Sequence, residues 1–319
     1  MRKGIVLGID TSNYTTSLAI MREDGELIAN LKRPLPVAAG VCGLRQSDAL
    51  FAHTKNLPDI MTEAGEYLSG ERIVAVGVST RPRNLVGSYM PCFLAGVAAA
   101  HTLGATHRVP IYELSHQCGH IMAALYSSGR WELLDRAHFC ALHVSGGTTE
   151  LLRVTPSDGA FTCELVGGTR DLNAGQVIDR VGVAMGMSFP AGRPMETAAL
   201  SYSGKIPKKR PSTDGCYLNL SGLENMAKEL YAKEGDPSLV SAFTLRYIAD
   251  GICRICEAYR DRYGDGEFLF AGGVMSNKQI KEYLSCRLNA FFAEPAFSAD
   301  NAVGIAELAR RQYLKNGGE

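Results

Sequence analysis

Gly4-Ile5-Val6-Leu7-Gly8-Ile9-Asp10-Thr11-Ser12-Asn13-Tyr14-Thr15-Thr16 and, far downstream, Phe139-Cys140-Ala141-Leu142-His143-Val144-Ser145-Gly146-Gly147-Thr148-Thr149 follow one pattern. Each begins with an apolar run of strand length, the signature of a strand buried on both faces. Each run ends in a turn of small hydroxyls or glycines, and a second strand returns, at 17–21 in the first copy and 150–154 in the second. Asp24-Gly25-Glu26 then makes a hairpin turn into a third strand at 27–31, and the second copy has its third strand at 161–166. A unit of strand, turn, strand, hairpin and strand that occurs twice predicts an internally duplicated α/β chain with two lobes. The turns suit phosphate. Asp10 is delivered to the end of its strand beside the Thr11 and Ser12 hydroxyls, a place for a metal-bound triphosphate. Glycines 146 and 147 let the backbone approach phosphate oxygens, with Ser145 as a further donor.

Outward from the first copy, 34–43 is a Pro/Gly/Ala-rich loop and 46–68 an amphipathic helix with an irregularity at Pro58. A strand at 73–78 leads into the basic loop Ser79-Thr80-Arg81-Pro82-Arg83-Asn84, then a small-residue helix at 86–103 and a strand at 109–114. His116 and His120 follow directly. Residues four apart share one face of a helix, with Cβ atoms roughly 5–6 Å apart, so one divalent cation can bridge the two imidazoles. A third, hard ligand would come from elsewhere, leaving a position open for substrate or water. The strand-to-helix junction places the pair at the carboxyl edge of a sheet, where α/β folds keep their sites.

Outward from the second copy, 167–175 leads into a helix at 176–185 carrying Asp179, a candidate ligand for a ribose or an acyl group. Phe189-Pro190-Ala191-Gly192-Arg193-Pro194 is a rigid turn. Lys205-Ile206-Pro207-Lys208-Lys209-Arg210-Pro211 is a basic loop, with Lys208, Lys209 and Arg210 the best candidates for a phosphate backbone. Residues 223–263 are helical with a break near Gly235-Asp236-Pro237, and a strand at 268–274 ends in Gly272-Gly273, where an adenine could lie on exposed backbone. Asn277 starts the next helix, and Asp300 stands near the N-cap of a terminal helix at 302–314.

Composition bounds the partners. Lys plus Arg and Asp plus Glu are both 33 in 319 residues, so nucleic acid contact must come from a local patch rather than a net field. No stretch approaches the roughly 18 apolar residues a membrane span needs, and Met1-Arg2-Lys3-Gly4 runs into a strand rather than a signal peptide. The expectation is a cytoplasmic protein without a membrane partner. Nine cysteines at scattered spacings favour free thiols, and Cys253 and Cys256 sit in a helical pattern as a core-facing pair.

Together these stretches resemble the tRNA N6-threonylcarbamoyladenosine synthase family, long labelled glycoproteases or O-sialoglycoprotein endopeptidases. Gly8-Ile9-Asp10-Thr11-Ser12 is similar to its opening motif G-I-E-T-S, Leu85-Val86-Gly87-Ser88 to L-V-G-S, and His116 with His120 to H-x-x-x-H. Val144-Ser145-Gly146-Gly147 matches V-S-G-G, Ala271-Gly272-Gly273-Val274 with Asn277 matches A-G-G-V-x-x-N, and Asp300-Asn301-Ala302 matches D-N-A/G. The resemblance implies an actin/hexokinase-like α/β fold with duplicated lobes and a nucleotide and metal site between them. The lobes are expected at 1–114, with the terminal helix 301–319 packing back on the first, and at 115–300, carrying the metal pair. It also implies one divalent metal, iron or zinc, held by His116, His120 and Asp300, and an adenine nucleotide (threonylcarbamoyl-AMP, ATP or ADP). That nucleotide would be lined by residues 143–147, Asp179, Gly192 and Asn277. The reaction implied is threonylcarbamoyl transfer to N6 of the adenosine beside the anticodon of tRNA, with protein partners supplying or regulating the acyl donor.

The sequence departs from the family at Asn13-Tyr14-Thr15-Thr16 (Cys-Asp-Glu-Thr), Arg81-Pro82-Arg83 (Gly-Pro-Gly), Thr148 (His) and Gln176 (Glu). The paired guanidiniums of Arg81 and Arg83 suit a phosphate or carboxylate. An alternative is therefore a paralogous carbamoyl or acyl transferase, or an ATP-binding enzyme, with a different acceptor. A non-catalytic partner subunit would tolerate loss of the ligands that are kept here. A metalloprotease would want a glutamate base beside the metal, and position 117 is Gln.

Overall fold

The computed structural model describes residues 4–12, 14–36, 44–157, 159–264 and 266–318. Asn13 of the first turn and residues 37–43 of the Pro/Gly/Ala-rich loop lie outside these described residues. The chain divides into a first compact unit, Met1–Ala137 with Thr155–Cys163 and Ala296–Glu319, and a second, His138–Val154 with Glu164–Pro295.

The first sheet has the order β3-β2-β1-β4-β5, from β1 (Ile5–Ser12), β2 (Thr15–Arg22), β3 (Leu27–Pro34), β4 (Ile73–Arg81) and β5 (Ile111–Ser115). β1 runs antiparallel to β2 and parallel to β4, and β4 runs parallel to β5. Parallel neighbours need long crossovers, which α1 (Gln46–Leu68) and α2 (Phe93–His107) provide. Ile5, Leu7 and Ile9 share a core with Ile60 and Ala64 of α1 and Ala100 of α2. Val6, on the opposite face of β1, packs with Ala309 and Tyr313 of α10 (Val303–Lys315). Both faces of β1 are covered, which is why its sequence is an unbroken apolar run.

The second sheet has the order β12-β11-β6-β7-β8-β10-β9. Its strands are β6 (Phe139–Val144), β7 (Thr149–Ser157), β8 (Ala160–Thr169), β9 (Ser212–Asp214), β10 (Tyr217–Asn219), β11 (Glu267–Ala271) and β12 (Asn289–Phe292). β6 is antiparallel to β7 and parallel to β11, which is parallel to β12. The run β8-β7-β6-β11-β12 therefore repeats β3-β2-β1-β4-β5, the duplication expected from the sequence. The core of the second unit joins Leu142 and Val144 of β6 and Phe270 of β11 to Val177 of α4 (Ala174–Ala184) and Ile248 of α7 (Pro237–Tyr263).

Several local expectations shift. The small-residue helix expected at 86–103 begins only at Phe93, and Leu85-Val86-Gly87 forms an exposed turn with Gly87 at φ 78°. Pro91 lies just before the helix, a position where its missing N–H costs nothing. The break expected near 235–237 in the helical stretch is present: α6 (Ser221–Glu234) ends at Gly235, in the left-handed conformation at φ 66°, and α7 begins at Pro237. The turn at 189–194 gives way to a helix, α5 (Gly192–Leu200), before its end. Cys253 and Cys256 are buried free thiols in α7, and burial pushes Cys253 up to about 11.

α3 (His116–Ser128) lies in the first compact unit, together with α10. The two helices cross closely at glycines: a Cβ on Gly304 of α10 would land on the Gly119 carbonyl oxygen of α3. With no side chain at either position, the two helices meet backbone to backbone.

Candidate metal centre and glycine turns

β1, β4 and β5 run parallel, so their carboxyl ends gather at one edge of the first sheet. Ser115 at the end of β5 caps α3, its hydroxyl accepting from Cys118 N at 3.2 Å. That cap turns the chain into the helix at His116 and stacks His116 under His120, with ring centroids 4.4 Å apart and planes at 79°. Asp300 arrives from the approach to α10. Asn301, just before the N-cap Ala302, braces the approach: its Oδ1 accepts from Val303 N at 3.1 Å, and its Nδ2 donates to Phe297 O at 2.9 Å and Ala299 O at 2.7 Å. The Asp300 carboxylate is left to face the histidines.

His116 Nε2 and His120 Nε2 are 3.0 Å apart, and Asp300 Oδ1 lies 3.8 and 3.4 Å from them. Two imidazole nitrogens and a carboxylate oxygen bound tetrahedrally at about 2.0–2.2 Å would be spaced at about 3.3–3.6 Å. The donors present fit such an ion. Their type, two borderline nitrogens and one hard oxygen, suits iron or zinc. This is a group of three potential ligands whose donor atoms all lie within 4.8 Å of one another.

Asp10, expected to meet a nucleotide-bound cation, is fully buried beneath this group. Its Oδ2 accepts from Ser12 Oγ at 2.7 Å, and its Oδ1 accepts from Ser79 Oγ and lies 3.1 Å from His116 Nδ1. A carboxylate on Nδ1 fixes the tautomer in which Nε2 turns its lone pair toward a metal. Burial works against the charge of Asp10, but the His116 charge and hydrogen bonds from His116 and Ser79 hold its pKa below the usual range. Burial likewise opposes the charge of His116, yet Asp10 and Asp300 raise its pKa to about 9. Burial and the neighbouring His116 charge lower that of His120.

Thr11 and Ser12 are buried as well. The Thr11 hydroxyl donates to Cys92 O at 3.1 Å and accepts from Gly96 N at 3.1 Å, tying β1 to α2. Arg81, half-buried in the first unit, donates to Asn84 Oδ1 through Nε and Nη2 at 3.2 and 3.0 Å, and Arg83 N donates to Ser88 Oγ at 3.1 Å.

In the second unit, the turn after β6 is pinned to the start of α4. Asn173 Nδ2 donates to Gly147 O at 2.9 Å, Gly175 N to Ser145 O at 3.3 Å, and Ala174 N to Thr149 Oγ1 at 2.9 Å. Gln176 closes a capping box with Asn173, a task that Gln performs as Glu does. Gly272, at φ 99°, passes so close to Val144 that a Cβ would strike its carbonyl oxygen. The structure therefore brings residues 144–147 and Gly272 together, while a Cβ on Gly146, Gly147 or Gly273 would meet no atom within 4 Å. His143 is buried in β6, between Glu150 of β7 and Ala271 of β11. Asp179 Oδ1 accepts from Ala191 N at 2.8 Å, which sets Gly192 beside α4, and burial raises its pKa. Asn277 caps α8 (Lys278–Ser285) by accepting from Ile280 N at 3.1 Å. Lys208, Lys209 and Arg210 are exposed in an irregular loop.

What the sequence did not signal is the role of Asp10 under His116, and with it Ser79 and Asn301. The available clue was an acid ending an apolar strand, and nothing local says that a strand two places away in the sheet leads into a histidine.

The duplicated sheets define an actin/hexokinase-like protein. The fold matches full-length HypF in its phosphate- and nucleotide-bound form (TM-score 0.65, 11% identity, covering 98% of this chain and 47% of that one). It also matches a ROK family glucokinase from Streptomyces griseus (TM-score 0.52, 14% identity, covering 97% and 100%). Residues 43–307 match the family model for tRNA N6-adenosine threonylcarbamoyltransferase, and the chain belongs to that family of transferases. A Streptococcus pneumoniae (strain Taiwan19F-14) protein of that name is 30% identical over 308 residues, 90% of this chain and 85% of the relative. Another, from Streptococcus pneumoniae serotype 2, is 29% identical over 99% of this chain and 94% of its own length.

Proposed function

We propose that this chain transfers a threonylcarbamoyl group from threonylcarbamoyl-AMP to N6 of the adenosine beside the anticodon of tRNA. One iron or zinc ion, held by His116, His120 and Asp300, would assist. The observation that carries this reading is the convergence of those three donors, backed by Asp10, in a member of this transferase family. When bound, the ion supplies Lewis-acid polarisation of the carbamoyl carbonyl. The chain's own residues orient and bind. Asp10 holds His116 Nδ1, Gly146, Gly147 and Gly273 offer open backbone to the adenylate, and Asp179 is the candidate for its ribose. AMP departs as the leaving group, and partner proteins in the cytoplasm supply or regulate the acyl donor.

The test is nucleoside mass spectrometry of tRNA from a strain lacking the gene, complemented with the wild type or with His116→Ala. Loss of threonylcarbamoyladenosine, restored only by the wild type, is expected; an unchanged level in a strain with no other synthase would overturn the proposal. A different acceptor is the second reading, favoured by Arg81 and Arg83 where the family has glycines. It predicts unchanged tRNA with the metal retained.

A further inference from the structure

Apart from its glycine turns, the second unit carries a groove of about 320 Å³, lined by Tyr202 and Ile206, by Leu245 and Arg246 of α7, and by Tyr283 and Arg287 at the end of α8. Its floor is apolar and its rim is cationic and aromatic. The guanidinium carbons of Arg246 and Arg287 lie 4.1 and 3.8 Å from the centre of the Tyr283 ring. The nearby acid, Asp250, is engaged elsewhere, accepting from the Tyr283 hydroxyl at 3.0 Å and from Arg254 Nε at 3.0 Å. Among the described residues no carboxylate pairs with Arg246, and both arginines are exposed. Glu282 is the one acid in the lining. Ile206 belongs to the basic loop, whose ends are fastened here: the Tyr202 hydroxyl donates to Lys205 O at 3.3 Å, and Ser212 N donates to the Tyr247 hydroxyl, next to Arg246, at 3.3 Å. Lys205, Lys208, Lys209 and Arg210 therefore extend the positive charge from the groove along one exposed loop.

We propose that this groove and loop form a contact for an RNA phosphodiester backbone, with Arg246 and Arg287 as phosphate donors. A guanidinium over a tyrosine ring can still present N–H groups for forked bonds to phosphate; Arg287 spends Nη1 on the Tyr283 carbonyl oxygen, donating at 3.0 Å, and offers its remaining N–H groups. The apolar floor between two tyrosines accepts an unstacked base, as single-stranded RNA offers. A lone small anion would use one or two of these cations, whereas a polyanionic chain uses the series. The inference rests on the tRNA reading above and deepens it by locating a surface that holds the acceptor.

The test measures binding of the full-length chain to a transcribed tRNA with adenosine beside its anticodon, across a salt series, for the wild type, Arg246→Gln/Arg287→Gln, and Lys208→Gln/Lys209→Gln/Arg210→Gln. Glutamine keeps part of the stem against Tyr283, and thermal melts check folding. Each variant is expected to bind about five- to tenfold more weakly, with a log–log salt slope shallower by about one for each phosphate that is no longer neutralised. Wild-type affinity and slope in both variants, from a chain that binds and modifies tRNA, overturn the groove alone. A wild-type chain that binds no tRNA overturns the groove and the tRNA acceptor together. If Arg246→Gln/Arg287→Gln instead loses AMP or inorganic phosphate binding while keeping RNA affinity, the groove is a small-anion site and the RNA assignment falls.

Discussion

The end of β1 and the turn after β6 lie at the same edge of two copies of one sheet, yet they are used differently. In the first, Asp10, Thr11 and Ser12 are buried, and their side chains are spent inside the protein on His116, α2 and one another. In the second, the turn is tied down by Asn173 and Gly175 while Gly146 and Gly147 face open space. One copy braces His116 through Asp10, and the other leaves the backbone of Gly146 and Gly147 open.

Predictions can break that contrast, starting with the largest effect. His120→Ala and Asp300→Ala should each purify without metal, because two remaining donors cannot hold the ion; full occupancy in both, by elemental analysis, would refute the ligand set. Next comes the brace. Asp10→Asn should keep the fold but weaken metal affinity by about 10- to 100-fold, the cost of losing the partner that orients a ligating histidine; a chelator titration matching the wild type would remove Asp10 from that role. The pH dependence tests the same contact. His116 keeps its proton up to about 9, so below that pH a metal must displace one proton. Its apparent affinity should climb about tenfold per pH unit and level off above pH 9, and a flat profile between pH 7 and 9 would argue against the proton on His116.

Gly304→Ala probes the scaffold. It should cost roughly 1–3 kcal/mol or more by forcing α10 off α3, which a denaturant melt would register, and metal should weaken along with it. The smallest structural effect belongs to the second turn. Gly146→Ala has room for its methyl group, so stability should change by less than about 0.5 kcal/mol, while nucleotide affinity falls about tenfold. Unchanged nucleotide binding in calorimetry would mean that the open turn is only a turn.

Much of the fold was legible because it is written in local periodicity. Both apolar runs, both hairpins and the α1 crossover stand where the sequence puts them, since covered strands need unbroken apolar residues and turns need glycine or small polar residues. The His116/His120 pair was legible for the same reason, being a spacing within one helix. What escaped depends on distant partners. The start of α2 at Phe93 rather than 86 hinges on a turn that apolar Leu85 and Val86 disguise, for both are exposed. The short strands β9, β10 and β12 carry too few residues for a pattern. The close crossing of α3 and α10 depends on Gly119 meeting Gly304, residues 185 positions apart. The use of Asp10 depends on the sheet order that sets β4 between β1 and β5.

X-ray absorption at the metal edge of the purified protein addresses the centre most directly, because Cys118 lies between the two histidines in sequence and offers a competing sulfur. A first shell of nitrogen and oxygen alone at about 2.0–2.2 Å, unchanged in Cys118→Ser, is the predicted result. A sulfur scatterer near about 2.3 Å, or a spectrum indifferent to His120→Ala, would contradict the centre described here.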